Sequence, residues 1–306
     1  MKILLVGGLG FIGKRFIRKY GNDYQIIVFA RKDRIKQIPS DSVFKTVIYE
    51  EGNIEDSTII DVISKHKPDV VIHLAALTGL KKCHNDPDKA FRVNVFGTHN
   101  VITGCVKNNS KLIFISSREV YGETKSSKSS EEDELKPNNV YGLTKLLGES
   151  IIKNTSLLHN LDYTILRITN VYGPEGDGYG AQIMIKDALN KKKIKIFGGT
   201  QRLNYIFVDD IVEALGKVLE NPVLHKQIFN LGSEDTLTVD EFVSIIKQNL
   251  DFSIIVEHLP MRETETTNFK PDLEKIKNVL SFKPMMSLEM GLKKTIEWYS
   301  NYQFSY

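Results

Sequence analysis

Tyr141 and Lys145 stand four residues apart, one turn of a helix, so a helix through Tyr141-Gly142-Leu143-Thr144-Lys145 puts a phenol and an ammonium on one face. An ammonium beside a phenol favours the phenolate and draws its pKa from about 10 towards neutrality. Such a tyrosine can take or give a proton as a hydride leaves or reaches a carbon. Alone, the pair reads as an exposed helix face. Its weight comes from a glycine loop at the N-terminus and from a strand-end Ser116-Ser117.

Gly7-Gly8-Leu9-Gly10-Phe11-Ile12-Gly13 follows an apolar run at 3–6 and opens an amphipathic stretch at 12–20. Glycines at 7, 10 and 13 permit a sharp turn, bring bare backbone against a pyrophosphate and allow close helix–strand packing. Strand, loop and helix in that order specify a dinucleotide site. Where an NAD site carries an acid near the end of the second strand, this chain reads Val28-Phe29-Ala30-Arg31-Lys32, with Asp33 only afterwards. A guanidinium there pairs with a 2′-phosphate, so NADP(H) is expected ahead of NAD(H).

The elements that must position these residues follow from hydrophobic rhythm. Runs at 3–6, 26–29, 70–74, 112–115 and 163–168 read as strands buried on both faces. Helical stretches at 12–20, 57–66, 88–107 and 141–158 alternate with them. The expected fold is α/β, a Rossmann-type doubly wound parallel sheet with a smaller C-terminal α+β substrate lobe. The division expected is 1–173 for the dinucleotide domain, which strands near 205–231 could join, and 174–306 for the lobe. The lobe is expected to hold strands at 194–197, 205–208, 227–231 and 254–258, and helices at 239–250 and 287–302. A stretch at 126–134, SSKSSEEDE, reads as a solvated loop.

Composition bounds the rest. The 306 residues carry 41 Lys plus Arg against 38 Asp plus Glu, a net charge of +3, which gives no basis for nucleic-acid or membrane binding. Cys83 and Cys105 form no framework, so a reducing, cytoplasmic setting is expected. The seven histidines show no ligand spacing, and no metal is expected.

Further segments complete a pattern: His73-Leu74-Ala75-Ala76, Asn94-Val95-Phe96-Gly97-Thr98, Ser116-Ser117-Arg118-Glu119-Val120-Tyr121-Gly122, Asn170-Val171-Tyr172-Gly173-Pro174 and Val208-Asp209-Asp210. With the glycine loop and Tyr141/Lys145, they resemble the extended short-chain dehydrogenase/reductase family, in its nucleotide-sugar epimerase/dehydratase/reductase branch, over almost the full length. The resemblance implies that Ser117 hydrogen-bonds the reacting oxygen and that Lys145 also holds the nicotinamide ribose. It implies cofactor contacts at Gly7, Gly10, Phe11, Ile12, Gly13, Arg31, Lys32, Asn53, Ile54, Leu74, Ala75, Ala76, Asn94, Tyr141 and Lys145. It places a nucleotide-diphosphate sugar against Thr78, Ser117, Arg118, Asn170, Arg202 and Arg262. The helices at 88–107 and 141–158 match those through which the family forms homodimers.

Within that branch, 4,6-dehydratases carry an acidic pair after the catalytic Ser/Thr, and here Arg118 and Glu119 stand there. Arginine cannot serve as the acid, which disfavours dehydration. Glu119 is left as a candidate base or as a salt-bridge partner of Arg118. The first expectation is NADPH-dependent reduction of a 4-keto-6-deoxy sugar nucleotide. The alternative is a UDP-hexose 4-epimerase that retains NAD, with a 4,6-dehydratase or a non-catalytic cofactor sensor behind both. Arg202 lies one place earlier than the family's Gln-x-Arg arginine, because the run is Gln201-Arg202-Leu203-Asn204-Tyr205.

Overall fold

The computed structural model describes residues 1–124, 127–176, 180–221, 224–262 and 265–302. Two compact units emerge. The first comprises Met1–Val120, Leu135–Arg167 and Gly216–Phe229, and the second Tyr121–Glu134, Ile168–Leu215 and Asn230–Tyr306.

The first unit is organised by a seven-stranded sheet. Its strands are β1 (Lys2–Val6), β2 (Gln25–Ala30), β3 (Ile48–Glu51), β4 (Val70–His73), β5 (Lys111–Ser117) and β6 (Tyr163–Ile168). After β7 (Asn170–Tyr172), β8 (Ile194–Phe197) and β9 (Arg202–Phe207), the seventh sheet strand is β10 (Gln227–Leu231). The order is β10-β6-β5-β4-β1-β2-β3. β1 pairs in parallel with both β2 and β4, so the order reverses about β1. That switch point opens a crevice beyond the strands' carboxyl ends, where such sheets take ligands. Ile, Val, Leu and Phe fill β1, β2, β4 and β5 because both faces are covered.

The expected α/β doubly wound sheet is therefore present, and the helices at Phe11–Tyr20, Thr58–His66 and Val140–His159 lie within a residue of their expected bounds. Three local differences have physical causes. β3 gave no sequence signal, since none of its residues is buried. The stretch at 88–107 is broken into a helix at Pro87–Phe91, a π-turn at Arg92–Phe96 and a helix at Gly97–Asn108. At 126–134, of which Ser126 lies outside the described residues, the chain is not simply solvated. Ser129 is buried, its N–H donates to the Lys270 carbonyl at 2.8 Å, and its own carbonyl accepts from Asp272 at 2.7 Å.

The second unit holds two small sheets, β11-β9-β7 and β12-β8, where β11 is Thr236–Thr238 and β12 is Val256–Leu259. Its core gathers Tyr172, Ile185, Tyr205, Phe207, Phe242, Ile246 and Leu292. The helix at Val239–Gln248 starts with a capping box in which Thr238 and Glu241 satisfy each other's backbone N–H. This helix delivers Phe242, fully buried, onto the Tyr205 ring with centroids 4.4 Å apart. Among the described residues, no helix is long and apolar enough to cross a membrane.

Truncating Phe242 to Ala should cost about 3–5 kcal/mol. Denaturant unfolding checks this, with the loss appearing as a lower midpoint.

Candidate active site

The glycine turn is built by backbone. Gly7 has φ +82° and its N–H donates to the Phe29 carbonyl at 2.9 Å, tying the loop to the end of β2. A Cβ on Gly7 would come within 2.8 Å of the Ala75 nitrogen. A Cβ on Gly13 would come within 2.3 Å of the Gly8 carbonyl oxygen, so the helix can approach the loop only without a side chain. Gly10 caps the Phe11–Tyr20 helix without a side-chain hydrogen bond, and that first turn carries no acid. The turn thus leaves helix N–H groups and bare backbone facing the crevice, which fits a dinucleotide pyrophosphate. Phe11 is buried against the unit and Ile12 is partly exposed.

Along the rim, Arg31 is exposed and its guanidinium forms an ion pair with Asp33 at 2.9 Å. Lys32 and Asn53 are also exposed, whereas Ile54 is buried and occupies the space over Gly97. The Leu74 N–H donates to the Val6 carbonyl at 2.9 Å, so Leu74, Ala75 and Ala76 continue from β4 past the glycine turn, half-buried. Thr78 follows, half-buried. Asn94 lies in the π-turn with its side chain committed. Its oxygen accepts from the Leu77 N–H at 2.7 Å, and its amide donates to the Leu77 carbonyl at 3.0 Å and to the Thr144 hydroxyl at 2.9 Å. Asn94 therefore pins the strand-end loop to the helix that carries Tyr141 and Lys145. A π-turn at such a position is common at functional sites.

That helix, Val140–His159, begins where the Asn139 side chain accepts the Gly142 N–H at 2.8 Å. A Cβ on Gly142 would strike the Glu119 carbonyl at 2.3 Å, so Gly142 lets the helix start against the 118–120 turn. Tyr141 is half-buried and Lys145 buried. Lys145 Nζ donates to the Ile115 carbonyl at 2.8 Å and lies 4.7 Å from the Phe114 ring centre. Burial pushes the Lys145 ammonium down to about 8, while the Glu149 carboxylate one turn on, and then Cys83, oppose that shift.

At the end of β5, the Ser117 hydroxyl oxygen accepts the Glu119 N–H at 3.2 Å. Glu119 is buried with both carboxylate oxygens engaged. One meets Arg118 at 2.8 Å, and the other accepts from the Asn139 amide at 2.8 Å. Glu119 is therefore held in an ion pair with Arg118, the salt-bridge alternative of the two that the sequence left open.

In the second unit, Asn170 is half-buried and donates to the Asn204 carbonyl at 2.9 Å. Arg202 is exposed, donates to the Thr236 carbonyl at 3.0 Å and stands 3.7 Å from Glu241. Arg262 stacks over the Phe197 ring at 3.8 Å and approaches Glu265 at 4.0 Å. Gln201, unassigned from sequence, is buried and holds the turn between β8 and β9, accepting from Gly199 and donating to Phe197, both at 2.6 Å.

From sequence, Asn139 and Glu149 went unremarked, and Arg167 and His73 stood in matching segments without an assigned role. The signals were legible: an Asn two places before Tyr141, a carboxylate continuing the Tyr141/Lys145 spacing to 149, and an arginine inside an apolar strand. Glu149 and Arg167 form a buried ion pair at 2.8 Å. His73, fully buried on β4, has Nε2 within 2.9 Å of the Thr98 hydroxyl, and its Nδ1 meets no partner among the described residues.

The model of the NAD dependent epimerase/dehydratase family matches residues 3–232. The UDP-N-acetyl-alpha-D-glucosaminuronate decarboxylase of Bacillus cytotoxicus is 31% identical, with 97% of each chain covered. The putative UDP-glucose 4-epimerase of Methanocaldococcus jannaschii is 30% identical, with 98% of each covered. The UDP-glucuronic acid 4-epimerase of Bacillus cereus, solved with UDP-glucuronic acid and NAD, superposes with a TM-score of 0.91 at 25% identity, covering 98% of this chain and 99% of its own. The chain belongs to the NAD dependent epimerase/dehydratase family of enzymes.

Burial, then the Lys145 charge, hold the His73 ring down to about 3, far below its ordinary value near 6.5. Between those values the unfolded chain binds the proton and the folded one does not, so stability falls as pH drops from 6.5 towards 3. The part due to His73 is roughly 3–5 kcal/mol. Denaturant unfolding of His73→Gln across this window should show a flatter pH dependence than the parent chain; equal slopes would contradict it.

Proposed function

We propose that the protein is an NAD-retaining 4-epimerase of a UDP-linked sugar. The observation that carries this reading is the closed Arg118–Glu119–Asn139 cluster beside Ser117. Dehydration needs an extra acid and base at this turn, and Glu119 has both oxygens occupied. Oxidation at C4 and its reversal need only one group that moves a proton, which is Tyr141.

In this reading Tyr141 removes the proton of the C4 hydroxyl, and the Ser117 hydroxyl donates to the same oxygen as it becomes a carbonyl. Lys145 supplies the positive charge that favours the phenolate. NAD, when bound, would accept the C4 hydride and return it to the opposite face of the sugar. Gly7, Gly10 and Gly13 would hold its pyrophosphate, with Leu74 to Ala76 beside them. The Arg31–Asp33 pair supports NAD over NADP, because a guanidinium already facing a carboxylate offers a 2′-phosphate little net charge. The same pair weakens the sequence-based expectation of a dissociable NADPH and a 4-ketoreductase. The epimerase names and bound UDP-glucuronic acid and NAD of the relatives support UDP-sugars as the substrate class. Arg262, stacked on Phe197, is the residue we assign to the diphosphate.

Mass spectrometry of the co-purifying cofactor, followed by assays with UDP-glucose, UDP-galactose and UDP-glucuronic acid, tests the reading. Bound NAD and interconversion at C4 are expected, with turnover in Tyr141→Phe lower by roughly 10²–10⁴-fold. Stoichiometric NADPH consumption with a 4-keto-6-deoxy sugar nucleotide, or carbon dioxide release from the uronic acid, would overturn it.

A further inference from the structure

Glu149 lies one turn beyond Lys145 on the same helix and is completely buried. Three donors converge on its carboxylate. The Ser116 hydroxyl on β5 donates to one oxygen at 2.5 Å, Arg167 Nε on β6 donates to the same oxygen at 3.1 Å, and Arg167 Nη2 donates to the other at 2.8 Å. Arg167 is itself almost wholly buried. A buried ion pair of this kind seldom improves stability over well-packed apolar side chains, because desolvation offsets the attraction. Its retention beside Lys145 calls for another role.

We propose that Glu149 is a positioning residue for the proton-transfer pair: clamped by Ser116 and Arg167, its carboxylate fixes the Tyr141/Lys145 helix against β5 and β6 and supplies the buried negative charge that keeps Lys145 an ammonium. The geometry links each part. Ser116 adjoins Ser117, and Ile115, one residue before it, accepts the Lys145 hydrogen bond at 2.8 Å. One strand end thus receives both Lys145 and Glu149 and presents Ser117. The electrostatics agree, since Glu149 is the leading influence opposing the burial of the Lys145 charge. The other titratable groups that interact with Lys145 are His73 on β4 and Cys83 on the Leu80–Asn85 helix, with Tyr141 one turn earlier on its own helix. Those facing Glu149 are Arg167 and Tyr163, both on β6. Among these, Glu149 is the one carboxylate. The role rests on Tyr141 and Lys145 acting as the proton-transfer pair.

The test follows the titration of Lys145 in the full-length protein carrying carbon-13 lysine, with its signal assigned through Lys145→Met. The parent midpoint is expected near 8. Glu149→Gln keeps the size and one accepting oxygen but removes the charge, and should lower the midpoint by roughly one unit, a tenfold loss of proton affinity. Ser116→Ala removes a hydrogen bond and no charge, and should leave the midpoint in place. If Glu149→Gln does not fold around the uncompensated Arg167, the double variant Glu149→Gln/Arg167→Met leaves no unpaired charge and should shift the midpoint in the same direction. An unmoved midpoint in the folded charge variant, or an equal shift in Ser116→Ala, overturns the proposal. The titration needs no sugar nucleotide, so it stays readable even if the epimerase assays fail.

Discussion

The docking of the Val140–His159 helix onto the end of β5 is the constraint on which the rest of the site depends. It is made by charged side chains taken wholly out of water: Lys145 on the Ile115 carbonyl, and Glu149 between Ser116 and Arg167. Buried charges tolerate little misplacement, because the loss of one partner leaves the other unpaired at a cost of several kcal/mol. The helix is therefore held in register, and Tyr141 with it. Asn94 adds a second anchor through Thr144, and Asn139 a third through Glu119.

The glycine turn works from the other side of the switch point. Among the described residues, nothing charged is buried there. Gly7, Gly10 and Gly13 keep side chains away from the loop, leaving backbone N–H groups and the helix dipole bare, an arrangement that suits an anion. The first unit thus pairs a bare, preformed glycine turn with a helix anchored by buried charged side chains. The price is a lysine held near 8 and a histidine held near 3, both forced from their ordinary values by burial.

Much of this was legible in the sequence because it is local. The apolar runs of β1, β2, β4 and β5, the glycine spacing and the four-residue Tyr141–Lys145 interval are short-range patterns that one dominant force enforces. The family resemblance added Ser117 and the substrate-lobe arginines. What escaped depends on distant partners. β3 is an edge strand with no buried residue. The π-turn is decided by Asn94 reaching Leu77 and Thr144, seventeen and fifty residues away. Arg118 and Glu119 suggested a salt bridge, but that Asn139 closes off the second Glu119 oxygen follows only from the helix start packing on the 118–120 turn. That Arg31 forms an exposed ion pair with Asp33 was likewise not evident from its residue type.

In the proposed epimerisation a hydride leaves C4 of a UDP-sugar and returns to the same carbon while Tyr141 moves the proton. UDP-glucose bearing deuterium at C4 tests it most directly, with the label followed by mass spectrometry and NMR through C4 inversion. The expected product is UDP-galactose with deuterium retained at C4. Deuterium lost from the sugar, or an uninverted C4 in every UDP-sugar offered, would contradict it.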